Sequence, residues 1–313
     1  MNQIWTEKHR PKSFSEIKGQ KEIIKRIKSL VEQKNIPHLF FVGPQGTGKT
    51  TTALIIAREL FKEHMQENFL ELNSSDERGI DVIRVKIKDF ARTKSLKEIP
   101  FKIILLDECD SLTKDAQQAL RRTMETYSNT CRFILSANQS SKIMEPIQSR
   151  CAVFRFKPLI KEDINEIIDE IAKKEELKIN KNIYNLLYEV SEGDTRRLQN
   201  ILQSSATLSN EITEDTIYES ISLVKPKEIR TIIELALNKK FIESRNLLLN
   251  TMLNNGLSGL DVIKQILKEI DGLKISDEKR LYLIDKCGEI EFRITEGADE
   301  YIQLECLLAN FGK

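Results

Sequence analysis

Residues 43 to 50 read Gly43-Pro44-Gln45-Gly46-Thr47-Gly48-Lys49-Thr50, which fills every fixed position of the phosphate-binding pattern G-x-x-x-x-G-K-[ST]. Three glycines let the backbone wrap tightly so that successive N–H groups face an anion, and a helix starting there adds its positive end. Lys49 is expected to reach the β and γ phosphates of a nucleoside triphosphate, and Thr50 to offer its hydroxyl to Mg²⁺. Thr51 follows them in the binding set. The flanks agree: His38 to Val42 is short, apolar and aromatic like a buried strand, and Thr51 to Phe61 carries Ala, Leu and Ile at helical spacing.

Two further runs end in groups suited to the same chemistry. Ile103-Ile104-Leu105-Leu106-Asp107-Glu108 is an apolar strand closing on two carboxylates, where an open α/β sheet presents groups to a ligand. Asp107 is expected to hold Mg²⁺, directly or through water, and Glu108 to orient and deprotonate the attacking water. Phe133 to Ser136 is a second apolar strand leading into Ala137 and Asn138, and the Asn138 amide is placed to meet the γ-phosphate or the water. An Asp-Glu pair at a strand end, or an Asn after one, is by itself an ordinary surface feature. Their company with the phosphate loop gives them a role.

The elements that must hold these residues are legible in the pattern. From Pro37 to Phe156, β-type runs (38 to 42, 69 to 72, 102 to 107, 131 to 136, 152 to 156) alternate with helical segments, which predicts an α/β unit with a mostly parallel sheet covered on both faces. After Pro158 the strand signal stops. Helices are expected over 161 to 175, 180 to 190, 194 to 208 and 213 to 221, with Gly193-Asp194 a break and N-cap. Lys225-Pro226 marks a second joint, after which helical periodicity runs on through 241 to 253, 259 to 270 and 281 to 294. The expected domains are 1–157, 158–224 and 225–313.

Composition bounds the function classes. A chain of 313 residues that is 40% hydrophobic can bury two or three cores. No apolar stretch approaches the ~18 residues of a spanning helix, and the polar N-terminus is unlike a secretion signal. The five cysteines, an odd number with no C-x-x-C pair, argue against a disulfide framework and a zinc module. With 49 basic against 48 acidic residues, any nucleic-acid contact must come from a local patch. One exists: Arg84, Lys86, Lys88, Arg92, Lys94, Lys97 and Lys102 face only Asp89 and Glu98. On a helix over 80 to 94, Ile83, Ile87 and Phe90 would be buried while Arg84, Lys88 and Arg92 recur every four residues as a ridge able to track phosphates without reading sequence.

The ordered set of phosphate loop, Asp107-Glu108-Cys109-Asp110, Ser136-Ala137-Asn138, Ser149-Arg150-Cys151 and Gly193-Asp194-Thr195-Arg196 resembles the AAA+ ATPases, and within them the replication factor C small subunits of sliding-clamp loaders. Trp5 to Lys12 and Asn73 to Ile80 are further matches. The resemblance is strong over residues 1 to about 224 and rests on helical character beyond. It implies an AAA+ nucleotide-binding domain, a helical lid and a helical collar that assembles subunits. It also implies ATP and Mg²⁺ as ligands, with a large subunit, other small subunits, a sliding clamp and primer–template DNA as partners, in the cytoplasm of an archaeon or the nucleus of a eukaryote.

Carried over residue by residue, Asn138 resembles the first sensor and Arg196 the second, with Arg197 beside it as the competing candidate. Arg150 resembles an arginine finger that acts on ATP held by a neighbouring subunit, where a guanidinium neutralises charge on the breaking bond. Arg10, Pro11 and Ile17 resemble the segment that lies over adenine, although His9 stands where the family usually has Tyr. Arg78 joins Arg84, Lys88 and Arg92 as an expected DNA contact. Cys109 replaces the usual Ala of the acidic box. Two other classes compete. One is a different AAA+ motor on DNA, such as a branch-migration helicase, for which a winged-helix third domain is expected. The other is a structural subunit that binds ATP without hydrolysing it, against which intact Lys49, Asp107, Glu108 and Asn138 argue.

Overall fold

The computed structural model describes residues 4–76, 83–93, 101–221 and 226–312. The chain forms two compact units, 1–203 and 204–313.

In the first unit, α1 (Lys21–Glu32) leads into β1 (His38–Val42), the phosphate loop and α2 (Lys49–Phe61). The sheet is completed by β2 (Phe69–Asn73), β3 (Lys102–Asp107), β4 (Cys131–Ala137) and β5 (Cys151–Arg155), in the order β2-β3-β4-β1-β5 with every pair parallel. Strands buried on both faces read as unbroken apolar runs, and β1, β3 and β4 do so because each contributes to two cores. Phe40, Val42, Ile104, Leu106, Phe133 and Leu135 point to one face, against Ala116, Leu120 and Met124 of α3 (Lys114–Thr126). Leu39, Phe41, Ile103, Leu105 and Ile134 point to the other, against Ile27 of α1 and Ala53, Ile56 and Leu60 of α2. Each large side chain so buried contributes about 1.5–3 kcal/mol, which makes the framework stiff where the strands end.

That order sets the site. β1 lies between β4 and β5, so the loop leaving its C-terminal end opens at the reversal of strand order, beside the ends of β4 and β3. Register aligns Val42 with Ala137, which delivers Asn138 next to the loop. Beyond the sheet come α4 (Lys161–Lys174), α5 (Tyr184–Ser191) and α6 (Thr195–Leu208).

Three expectations need correction. Strand structure does not stop at Pro158, since Lys178–Ile179 and Glu211–Ile212 are two-residue extended segments. The helix expected over 80 to 94 begins its described part as a π-helical turn, Ile83–Ile87, and ends with Lys88–Arg92, because Thr93 turns to extended geometry at φ −81°, ψ 135°. The strand expected to start at Ala152 starts at Cys151, paired with His38.

The second unit is helical among its described residues apart from Glu211–Ile212. α7 (Glu214–Ser220) begins at a reciprocal cap between Thr213 and Thr216. α8 (Pro226–Leu237), α9 (Phe241–Asn255), α10 (Gly259–Ile270), α11 (Asp277–Thr295) and α12 (Glu300–Phe311) share one core built on Ile232, Ile233, Leu248, Ile263, Leu283, Leu307 and Phe311. No helix among the described residues is long and apolar enough to cross a membrane.

Candidate functional site

The loop is built where side chains cannot go. Gly43 N–H donates to the Ala137 carbonyl at 3.2 Å, and a Cβ on Gly43 would lie 2.2 Å from the Phe156 carbonyl oxygen. Gly46 and Gly48 hold φ of +64° and +95°, in the left-handed region that glycine alone occupies freely. Helix α2 starts directly at Gly48 with no side-chain cap, whereas α3 is capped by Thr113, whose Oγ1 accepts from Ala116 N–H. The first N–H groups of α2 are therefore available to an anion.

Lys49 is buried, and its ammonium donates to the carbonyls of Gly43 at 2.6 Å and Pro44 at 2.7 Å and to Asn138 Oδ1 at 3.1 Å. Burial pushes its pKa below the ordinary lysine value, while the Asp107 and Asp110 carboxylates pull the other way. A desolvated ammonium interacts strongly with phosphate, since water no longer screens the pair. Thr50 Oγ1 donates to Asp107 Oδ2 at 2.6 Å, and Glu108 N–H donates to Asp107 Oδ1 at 3.0 Å. This donor set fits Mg²⁺: an alcohol and a carboxylate, both hard oxygens, at the rim of a phosphate cradle.

Glu108 adopts φ +51°, ψ +38°, a backbone conformation that costs a non-glycine residue about 1–3 kcal/mol. Its carbonyl is pinned by Ser111, through N–H at 2.9 Å and Oγ at 2.8 Å. The side chain consequently leaves the end of β3 toward the cleft. Cys109 next to it is fully buried, which pushes its thiol pKa up and keeps it unreactive.

A cleft of about 680 Å³ gathers Arg10, Pro11, Gln45 to Thr51, Asp107, Glu108, Asn138 and Arg196. A second cavity of about 610 Å³ shares Pro11, Thr47, Gly48 and Thr51 with it and adds His9, Ile17, Leu159, Ile167 and Ile171. The first is lined mostly by polar groups; the second sets the apolar Ile17, Leu159, Ile167 and Ile171 beside the charged Glu16, Lys18, Glu170 and Lys174. His9 is not free to stack. Its Nε2 bonds Glu175 at 2.7 Å and its ring meets Trp5 edge-on at 5.7 Å. Burial lowers its pKa, with the Glu175 contact opposing.

Arg196 and Arg197 separate. Arg196 lines the cleft, and Arg197 instead faces Glu192 at 3.8 Å. Arg150 lies outside the cleft lining, half-exposed, with one guanidinium nitrogen donating to the Pro146 carbonyl at 2.6 Å and another paired with Glu125. Of the DNA candidates, Lys88 and Arg92 are exposed on their helix and Ile87 and Ala91 are buried behind them. Arg78 lies outside the described residues, and of Arg84 only the backbone is described, within the π-helical turn.

Sequence reasoning missed Thr6, Thr195 and Gln199 in the lining. Thr195 N–H and Oγ1 both donate to the Gly46 carbonyl, at 3.1 and 2.8 Å. A separation of 149 residues hides this contact from any local pattern.

Comparison with known proteins agrees along the whole chain. The family model described as ATPase family associated with various cellular activities matches residues 39–159, and that of the replication factor C C-terminal domain matches 224–310. A replication factor C small subunit of Methanococcus maripaludis is 53% identical over 312 residues, covering 100% of this chain and 99% of that protein. Those of Archaeoglobus fulgidus and Sulfolobus acidocaldarius are each 52% identical over 98% of this chain, and over 96% and 94% of their own lengths. Among solved structures, the Thermotoga maritima RuvB Holliday junction branch migration motor aligns over 82% of this chain and 87% of its own, with a TM-score of 0.56 and 19% identity. That last likeness speaks for the fold alone.

Proposed function

The chain belongs to the replication factor C small-subunit family, and from that premise we propose that its cleft binds ATP with Mg²⁺ and that hydrolysis there drives the loading of a sliding clamp onto primed DNA. It is a clamp-loader subunit with an ATPase domain. The observation that carries the residue-level reading is the convergence on one loop of Lys49, Asn138, Thr50 and Asp107 through hydrogen bonds of 2.6–3.1 Å.

In this reading the backbone N–H groups from Gly46 to Lys49 and the start of α2 hold the β and γ phosphates, with the Lys49 ammonium exchanging its carbonyl partners for phosphate oxygens. Pro11, Ile17 and the apolar wall of α4 enclose the base. Thr50 and Asp107 hold Mg²⁺, which neutralises phosphate charge when bound. Glu108 takes a proton from the attacking water, its carboxylate aimed by the left-handed turn. Asn138, already bonded to Lys49, and Arg196 report whether a γ-phosphate is present.

Arg150 is not among the residues that line its own cleft and is held by Glu125 and the Pro146 carbonyl, which leaves it to serve a neighbour's site. It is therefore assigned to the ATP of an adjacent subunit in a ring with a large subunit and other small subunits. Lys88 and Arg92, with Arg84 and Arg78, contribute a sequence-blind phosphate contact that repetition around the ring multiplies. The proposed domains are 1–157, 158–224 and 225–313, the last acting as the oligomerising collar, although the boundary of the two compact units at 203/204 falls inside the second; the compartment proposed is the archaeal cytoplasm, since the similar proteins named above are archaeal. The branch-migration reading is less well supported. Its structural likeness is at 19% identity, and the described residues from 226 to 312 are helices with no strand pair.

The test is a pair of variants in the assembled loader. Lys49→Ala should abolish nucleotide binding, while Glu108→Gln should keep binding and lose at least a hundredfold in turnover, as expected for removal of a general base. Undiminished hydrolysis by Glu108→Gln would remove it from that role.

A further inference from the structure

The centre of the phosphate loop is bolted to helix α6 through a single residue. Gly46 carries φ +64°, and its carbonyl accepts from Thr195 twice, from N–H at 3.1 Å and from Oγ1 at 2.8 Å. A carbonyl oxygen has two lone pairs, so Thr195 saturates it. The neighbours on either side of Thr195 are fixed with it. Asp194 Oδ1 accepts from the N–H groups of Arg196 at 2.7 Å and Arg197 at 3.0 Å, capping the helix, and a Cβ on Gly46 would fall 1.7 Å from that same oxygen. Arg196, the next residue, lines the cleft.

Granting the cleft as an ATP site, we propose that Thr195 is a positioning residue whose hydroxyl sets the register of α6 against the phosphate loop and so fixes the reach of Arg196 to the γ-phosphate. Two physical consequences follow from one contact. The peptide joining Gly46 to Thr47 is planar and trans, so holding its carbonyl toward α6 directs the Thr47 N–H the opposite way. Cradle and sensor are then set together, and a shift of the helix is felt at the loop without passing through the sheet. The Oγ1 bond is the adjustable half of the pair, since the N–H bond survives any substitution except proline.

The experiment uses Thr195→Val and Thr195→Ser in the assembled loader, alone and combined with Arg196→Ala, with kcat and KM for ATP measured for each and thermal unfolding used to check the fold. Valine keeps the branched shape and loses the hydroxyl; serine keeps the hydroxyl and loses the methyl. Loss of one neutral hydrogen bond should lower kcat about fivefold to tenfold in Thr195→Val, with Thr195→Ser within about twofold of wild type. In the Arg196→Ala background, Thr195→Val should cost less than about twofold more, because the residue it positions is gone. Wild-type kinetics for Thr195→Val, equal impairment of Thr195→Ser, or full additivity with Arg196→Ala would each overturn the positioning role. Should Thr195→Val unfold, Thr195→Ala is read by the same criteria. Lys49→Ala measured in parallel keeps the two claims apart: if it still binds nucleotide, the ATP-site reading fails, whatever Thr195 does.

Discussion

Gly46→Ala and Gly48→Ala share one backbone problem and differ in a second, which makes the pair a quantitative probe of how the loop is held. Both residues sit at positive φ, +64° and +95°, where an alanine costs about 1–2 kcal/mol by backbone sterics alone. At Gly48 nothing lies within 4 Å of the new Cβ, so that cost is the whole effect. At Gly46 the new atom would stand 1.7 Å from Asp194 Oδ1, and Asp194 must move. It then gives up the N–H groups of Arg196 and Arg197, a cap worth about 1 kcal/mol, and strains the Thr195 bonds at 2.8 and 3.1 Å, worth about 1 kcal/mol more. Gly46→Ala should therefore destabilise by about 2 kcal/mol more than Gly48→Ala, roughly thirtyfold in the unfolding equilibrium of the first unit. Urea unfolding of the full chain, followed by fluorescence of its single tryptophan, reads this out; Trp5 reports on the same region, since its backbone N–H donates to Gln203 Oε1 of α6 at 3.0 Å. Replacing Asp194 by glycine in the Gly46→Ala background should recover part of the difference. Equal stability of the two alanine variants would show that loop and helix are not coupled as described.

Other expectations follow from the same geometry. Mixing Arg150→Ala subunits with wild type should impair hydrolysis at the neighbour's site; a defect confined to the mutant's own nucleotide would refute the assignment in trans. Reversing charge at Lys88 and Arg92 should weaken DNA-stimulated hydrolysis, with the DNA dependence shifting to lower salt and the basal rate kept. His38 gives a pH signature. Burial, aided by the Arg132 guanidinium, pushes its pKa from 6.5 down to about 4, and its Nδ1 accepts the Phe133 N–H at 3.1 Å. Between those values the unfolded chain binds a proton that the folded chain does not, so stability should fall as pH drops from about 6.5 to about 4 and then level off. His38→Gln should flatten that slope in urea titrations, and an unchanged slope would remove His38 as its source.

What the sequence disclosed and what it hid have physical reasons. The strands of the sheet were legible because β1, β3 and β4 are buried on both faces and leave unbroken apolar runs. The phosphate loop was legible because its geometry demands glycine at fixed spacing. The choice between Arg196 and Arg197 was not, since adjacent helix residues differ by a large rotation and only the Asp194 cap sets its origin. His9 stands where the family usually has Tyr, and no local pattern shows its burial against Trp5 and Glu175, which depends on a partner 166 residues away. The same distance problem concealed Thr195. The helix carrying Lys88 and Arg92 ends two residues before the expected Lys94, because Thr93 turns to extended geometry.

If ATP turnover in this cleft is harnessed to a clamp and to primed DNA, the ATPase rate of the assembled loader must respond to them, and it is measured with each alone and with both. A rate that rises with each and rises further with both together is predicted. A rate indifferent to clamp and DNA would contradict the account.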